Sequence, residues 1–166
     1  MGLLATALFP LVLIFAAICD LRRFEIPNWV SAVLFVGFFP IAWFIGFDSG
    51  ALLDHLLCAG AMFVVAALLF FGGIIGGGDA KVLPAAAVWT GWAGLPAFLL
   101  FMALSGGVVV VALLIFRRLP LPVGATKIDW LHALHENRND VPYAVAIAGG
   151  GLVVFPNLAI VVAASG

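Results

Sequence analysis

Residues 72–81 read GGIIGGGDAK, five glycines, an aspartate and a lysine directly behind about twenty apolar residues. Glycine is a poor helix former, and a carboxylate in or near hydrocarbon is expensive. The stretch therefore marks the end of a membrane span and raises the question of what the aspartate does there. The rest of the chain has to be read around it.

Of the 166 residues, 66% are hydrophobic and 9% charged, and the mean hydropathy is +1.29. A soluble domain of this length has too little interior to hide that much apolar surface. The composition predicts an all-α polytopic membrane protein, with membrane lipid as its solvent. The net charge of −1 says nothing about nucleic acid, but the lack of a basic patch argues against such a partner. Cys19 and Cys58 form no CxxC pair, so neither a zinc knuckle nor a disulfide framework is expected. Residues 3–18 have the length of a signal-peptide core. No Lys or Arg precedes them, and Ile18 is not the small residue expected before a lipoprotein-type Cys19, so a retained span is expected.

A helix crossing ~30 Å of hydrocarbon needs about 20 residues. The apolar runs predict six spans, at 2–19, 29–47, 52–75, 80–93, 95–116 and 141–163. Turn-formers separate most of them: Ile26-Pro27-Asn28, Asp48-Ser49-Gly50 and Gly94-Leu95-Pro96. Gly73 falls inside the third. The basic residues are Arg22, Arg23, Lys81, Arg117, Arg118, Lys127 and Arg138. With six crossings all of them fall on one side, which the positive-inside rule makes cytoplasmic, with both termini outside. Five crossings would put Lys81 and the 117–138 cluster on opposite faces. In the polar stretch 117–140, Trp130, Leu131 and Leu134 give a weak amphipathic stripe that fits a short interfacial helix.

This orientation brings Asp20, at the end of the first span, and Asp79, at the start of the fourth, to one membrane depth. Helices packed ~8–10 Å apart would let the two carboxyls approach. Two neighbouring carboxylates share a proton near neutral pH, so one can take a proton from water while the other donates to a leaving group. The glycines would let the backbone leave the helix and approach a substrate strand. In the plainer reading both are helix-boundary residues, with Asp79 an N-cap and Asp20 paired to Arg22 or Arg23.

The motifs decide between these readings. DLRRFEIPN at 20–28 resembles the D-x-R-x-x-x-I-P-N signature of type IV prepilin peptidases. GGGDAK at 76–81 resembles their GxGD motif followed by Lys, and DVPYAVAIAGG at 140–150 is similar to the start of the last span in small members associated with Flp (tad) pilus systems. The resemblance implies an aspartic endopeptidase without a cofactor, with Asp20 and Asp79 catalytic and Gly76 and Gly78 the motif glycines. Its substrate would be a prepilin or pseudopilin precursor, cut at the cytoplasmic face of the inner membrane to remove a basic leader. Larger members carry a zinc-binding cytoplasmic domain and methylate the new N-terminus. Here only residues 21–28 separate the first two spans, so methylation is not expected.

Lys81 and Arg22 beside the acids could support the site, or serve topology and snorkel to head groups. Glu25 could meet a basic leader, or be a solvated loop charge. His132, His135 and Glu136 do not form the H-E-x-x-H zinc pattern, and no metal is expected. Asp140 could N-cap the last span. Gly106, Gly107 and Gly149–Gly151 read as close-packing positions between helices. A non-enzymatic membrane protein using the acids to carry protons or ions is the rival reading, disfavoured by the nearly apolar outer halves of the spans.

Overall fold

The computed structural model describes residues 2–122, 128–136 and 141–165, with side chains from Leu4 onward. Lys127, Arg138 and Asp140 lie outside the described residues. All regular structure among those described is helical. In chain order the elements are α1 Gly2–Thr6, α2 Leu8–Arg23, α3 Asn28–Ile45, α4 Ser49–Phe71, α5 Gly77–Phe116, α6 Asp129–Glu136, α7 Tyr143–Val154, a 3-10 turn Phe155–Asn157, and α8 Ala159–Ser165. Five stretches are long and apolar enough to cross a membrane: Leu4–Arg23, Asn28–Ile45, Ser49–Phe71, Gly77–Phe116 and Tyr143–Ser165. Large apolar side chains face outward all round the bundle; Phe71 is 84% exposed and Trp43 79%. Such a surface is stable only in lipid, and the chain is a polytopic membrane protein.

The fourth stretch, at 40 residues, is about 60 Å of helix, twice a bilayer's core. It does not run straight. Gly91 has φ 58° and ψ −178°, a region essentially confined to glycine. Asp79 and Leu83 line one cavity together with Met102, Gly106 and Gly107. An unbroken helix would hold Asp79 and Gly107, 28 positions apart, about 42 Å from each other. The chain therefore doubles back at Gly91, giving two packed arms, 77–90 and 92–116. The sequence placed this turn at Gly94-Leu95-Pro96. The structure moves it to Gly91, and Pro96 lies inside the second arm. The start of α4 clamps the turn: His55 Nδ1 is 2.6 Å from the Val88 carbonyl, and the Trp92 amide donates to Asp54 Oδ2 at 3.4 Å.

Other boundaries also shift. α2 continues through Asp20 to Arg23, and α4 stops at Phe71, leaving 72–76 outside any helix. Gly73, expected within a helical span, has φ +69°. The last apolar stretch is interrupted by the Phe155–Asn157 turn around Pro156, which cannot continue the hydrogen-bond ladder. The 117–140 stretch holds α6, with Leu134 buried. Arg117 Nε donates to the Leu134 carbonyl at 3.1 Å, tying α6 to the end of α5.

Packing in lipid depends on fit rather than on a hydrophobic drive between helices. A Cβ built on Gly150 would lie 2.6 Å from the Met102 backbone nitrogen and 2.8 Å from its Cα, so α7 and α5 touch backbone to backbone. Gly151 instead packs against the side chains of Leu13 and Phe9 on α2. At the centre Trp89 is fully buried, donates from Nε1 to the Leu34 carbonyl at 2.8 Å, and meets Phe9 and Phe38 at ring distances of 5.3 and 5.7 Å. This core joins α2, α3 and α5, and α2 and α5 carry the acids at their ends.

Candidate active site

Asp20 occupies the last turn of α2. The helix ends three residues on, at Arg23, and Phe24 caps it in the left-handed conformation at φ 53°, its N–H donating to the Asp20 carbonyl at 2.8 Å. A bulky residue there is strained, and such strain gathers at functional sites. Asp79 is the third residue of α5, with Gly76 as N-cap, so it is not itself the cap. Its carboxylate folds back onto that cap, and a Cβ on Gly76 would lie 3.2 Å from Asp79 Oδ2.

Both carboxylates are buried, Asp20 at 6% and Asp79 at 8% exposure, and both line one polar cavity of about 320 Å³. Phe24, Val141 and Tyr143 complete its walls with the 73–76 bend. α7 contributes directly: the Ala144 amide donates to Asp20 Oδ2 at 2.9 Å. Asp79 Oδ1 is buried with no hydrogen-bond partner. Uncompensated burial of a carboxylate oxygen is costly and calls for a reacting group, a substrate or a water in the cavity. The space holds several waters, at about 30 Å³ each, or an extended stretch of peptide backbone. Two acids able to trade protons across one water-accessible space are equipped for general acid–base chemistry.

The remaining candidates sit elsewhere. Gly78 is in the first turn of α5 and faces the α2–α3 connection; a Cβ there would lie 3.2 Å from Ile26 Cδ1 and Cγ1. Lys81 is exposed, donates to Asn28 Oδ1 at 2.7 Å, and lines a different cavity, between α3, α4 and α5. Arg22 and Glu25 are exposed and do not line the acid cavity. His132 pairs with Glu136 at 3.4 Å on α6, and His135 Nε2 lies 3.0 Å from the Leu119 carbonyl. Among the described residues, no group of three or more His, Cys, Asp or Glu could hold a metal ion.

Phe24, Tyr143 and the Ala144 amide were not singled out from sequence. The PYA of the 140–150 block was the available signal, since it marked that segment without assigning any residue a role. Neither backbone strain nor an amide donor shows in side-chain type.

No curated protein and no solved structure matches the chain. A family model described as the type IV leader peptidase family matches residues 7–111, well over half of the chain. The matched segment contains Asp20, Asp79, the first arm of the α5 hairpin and most of the second. The chain is a peptidase and belongs to the type IV leader peptidase family.

Proposed function

We propose that this protein is an aspartic endopeptidase that removes the basic leader from prepilin or pseudopilin precursors, with Asp20 and Asp79 as its catalytic pair. One observation carries the reading: two buried carboxylates from distant parts of the chain line a single polar cavity, one of them with an unpartnered oxygen. In the reaction one carboxylate takes a proton from water as its oxygen attacks the scissile carbonyl. The other, carrying the pair's proton, stabilises the developing oxyanion. The C–N bond then breaks and the leaving nitrogen receives a proton from the pair. The Ala144 amide and the Gly76 cap hold the two carboxylates, which limits the reorganisation the step needs.

The exposed cations Arg22, Arg23, Lys81 and Arg118 support a cytoplasmic active site in the inner membrane, with six crossings and both termini outside. The short α2–α3 connection offers no room for the zinc-binding domain of larger relatives, which supports peptidase activity without methylation. The test is co-expression with a candidate prepilin, followed by the product's mass. Asp20→Asn and Asp79→Asn should each lower cleavage at least ~10³-fold while the protein still inserts, since neither partner can act alone. Near wild-type processing by either variant defeats the proposal.

A further inference from the structure

Lys81 follows Asp79 by two residues, yet it borders a different space. It lines a cavity of about 480 Å³ that is floored by Pro84 and Ala85 of α5 and walled by α3 and α4. α3 and α4 both pack along α5 but make little contact with each other, so a crevice stays open between them. Phe63 on its wall is 60% exposed, and the crevice faces lipid. Among the described residues, Lys81 is its only charged lining group.

Helix rise gives its dimensions. A Cβ on Gly77, at the start of α5, would lie 3.3 Å from the Phe70 ring near the end of α4, so these two ends are level. Lys81 is four residues into α5, about 6 Å deep, and Leu56 is fourteen residues back from Phe70, about 21 Å deep. The crevice therefore runs about 15 Å, the hydrocarbon depth of one leaflet. Spread over that length, 480 Å³ gives a cross-section of roughly 30 Å². A helix about 10 Å across needs roughly 80 Å². The crevice is too narrow for a helix of a substrate or partner, and it has the shape of a single acyl chain.

Its outer end has the donors for a head group. Lys81 Nζ donates to Asn28 Oδ1 at 2.7 Å, and among the described residues no carboxylate pairs with it. An ammonium has three N–H donors, so two remain for a ligand. With its Oδ1 accepting, the exposed Asn28 keeps its NH2 as a further donor. Trp29, next in the chain and 53% exposed, is of the type that sits at head-group level. A phosphate diester satisfies such donors. A lipid of net negative charge also neutralises Lys81, whereas a zwitterionic one brings an ammonium of its own.

We propose that the crevice between α3 and α4 binds one phospholipid of net negative charge, with its phosphate on Lys81 and Asn28 and an acyl chain laid along Phe35, Gly60 and Pro84. The chain fills a gap that side chains leave open and holds α3 and α4 together against α5. This site does not depend on the peptidase reading.

Full-length protein, purified in detergent and stripped of lipid, is titrated with dioleoyl phosphatidylglycerol or dioleoyl phosphatidylethanolamine. Native mass spectrometry counts the bound lipid, and melting is followed in parallel. Wild type should hold one phosphatidylglycerol at least about fivefold more tightly than phosphatidylethanolamine, the worth of one Lys against an anionic head group. It should also melt at a higher temperature with that lipid bound. Lys81→Gln should bring the ratio to near unity, and Lys81→Arg should keep it. Gly60→Leu and Ala32→Leu fill the crevice from opposite walls and should lose the tight lipid; a Cβ on Gly60 meets nothing within 4 Å, so that variant still folds. Val64→Leu, on α4 but outside the crevice, should bind as wild type does. Equal affinity of wild type for the two lipids overturns the proposal. Unchanged binding in both Gly60→Leu and Ala32→Leu overturns it too, leaving only a shared annulus of lipid. A lipid-free dimer that Gly60→Leu breaks would overturn it in favour of a second copy of the chain.

Discussion

Three glycines in the opening stretch do different jobs, and single substitutions separate them. Gly73 has φ +69° and nothing within 4 Å of where a Cβ would stand, so Gly73→Ala adds strain without crowding. The left-handed conformation costs a residue with a Cβ roughly 1–2 kcal/mol. At roughly 2–4 °C per kcal/mol for a chain of this size, the melting temperature in detergent should fall by several degrees. Gly73→Asn should recover part of that, because Asn tolerates this conformation. Gly76 is the reverse case. Its φ of −71° and ψ of 156° suit any residue, but a Cβ would sit 3.2 Å from Asp79 Oδ2. The carboxylate would have to move by a few tenths of an ångström. A displacement near 1 Å can cost ~10²-fold in rate, so roughly 3- to 10-fold is expected here, with melting unchanged. Gly78→Val should damage both, since Ile26 and the α2–α3 connection must shift. The assay is precursor cleavage at fixed protein, with detergent melting alongside. Wild-type cleavage by Gly76→Ala, together with an activity loss in Gly73→Ala that melting does not explain, would refute the division of roles.

The hairpin gives a second contrast. Gly91→Ala combines backbone strain of roughly 1–3 kcal/mol with a Cβ 2.9 Å from His55 Nε2, and should destabilise far more than Gly94→Ala in the same melting assay. Equal melting of the two would place the turn elsewhere. Gly150→Leu should abolish accumulation of folded protein, because its Cβ would meet the Met102 backbone, which cannot swing aside; normal yield on size exclusion would contradict the packing. Reporter tags after residue 119 should be protected in intact cells and tags at either terminus accessible. Termini on opposite faces would rule out six crossings.

Much of this protein was legible in one dimension. Composition fixes the solvent, because 66% hydrophobic residues cannot be buried by 166. The spacing of Asp20 and Asp79 relative to the apolar runs put both at span ends on one side, a consequence of helix rise and bilayer thickness. What the linear order could not supply was the local backbone path. The turn between the α5 arms sits at Gly91 rather than Gly94, because Asp54 and His55 of α4 are positioned to hold it there. Gly73 leaves the helix in a local cap, where its own N–H donates to the Phe70 carbonyl and that of Ile74 to the Leu69 carbonyl. A glycine's conformation is set by what surrounds it, since its own preferences are nearly flat. The apolar recess beside Asp79 likewise exists only in three dimensions. Ala103 and Gly107 read as ordinary small span residues until the hairpin folds them opposite Asp79 and α7 closes the third wall. Apolar patterning selects a helix and its solvent, but which helix faces meet is decided by side-chain fit between segments far apart in the chain.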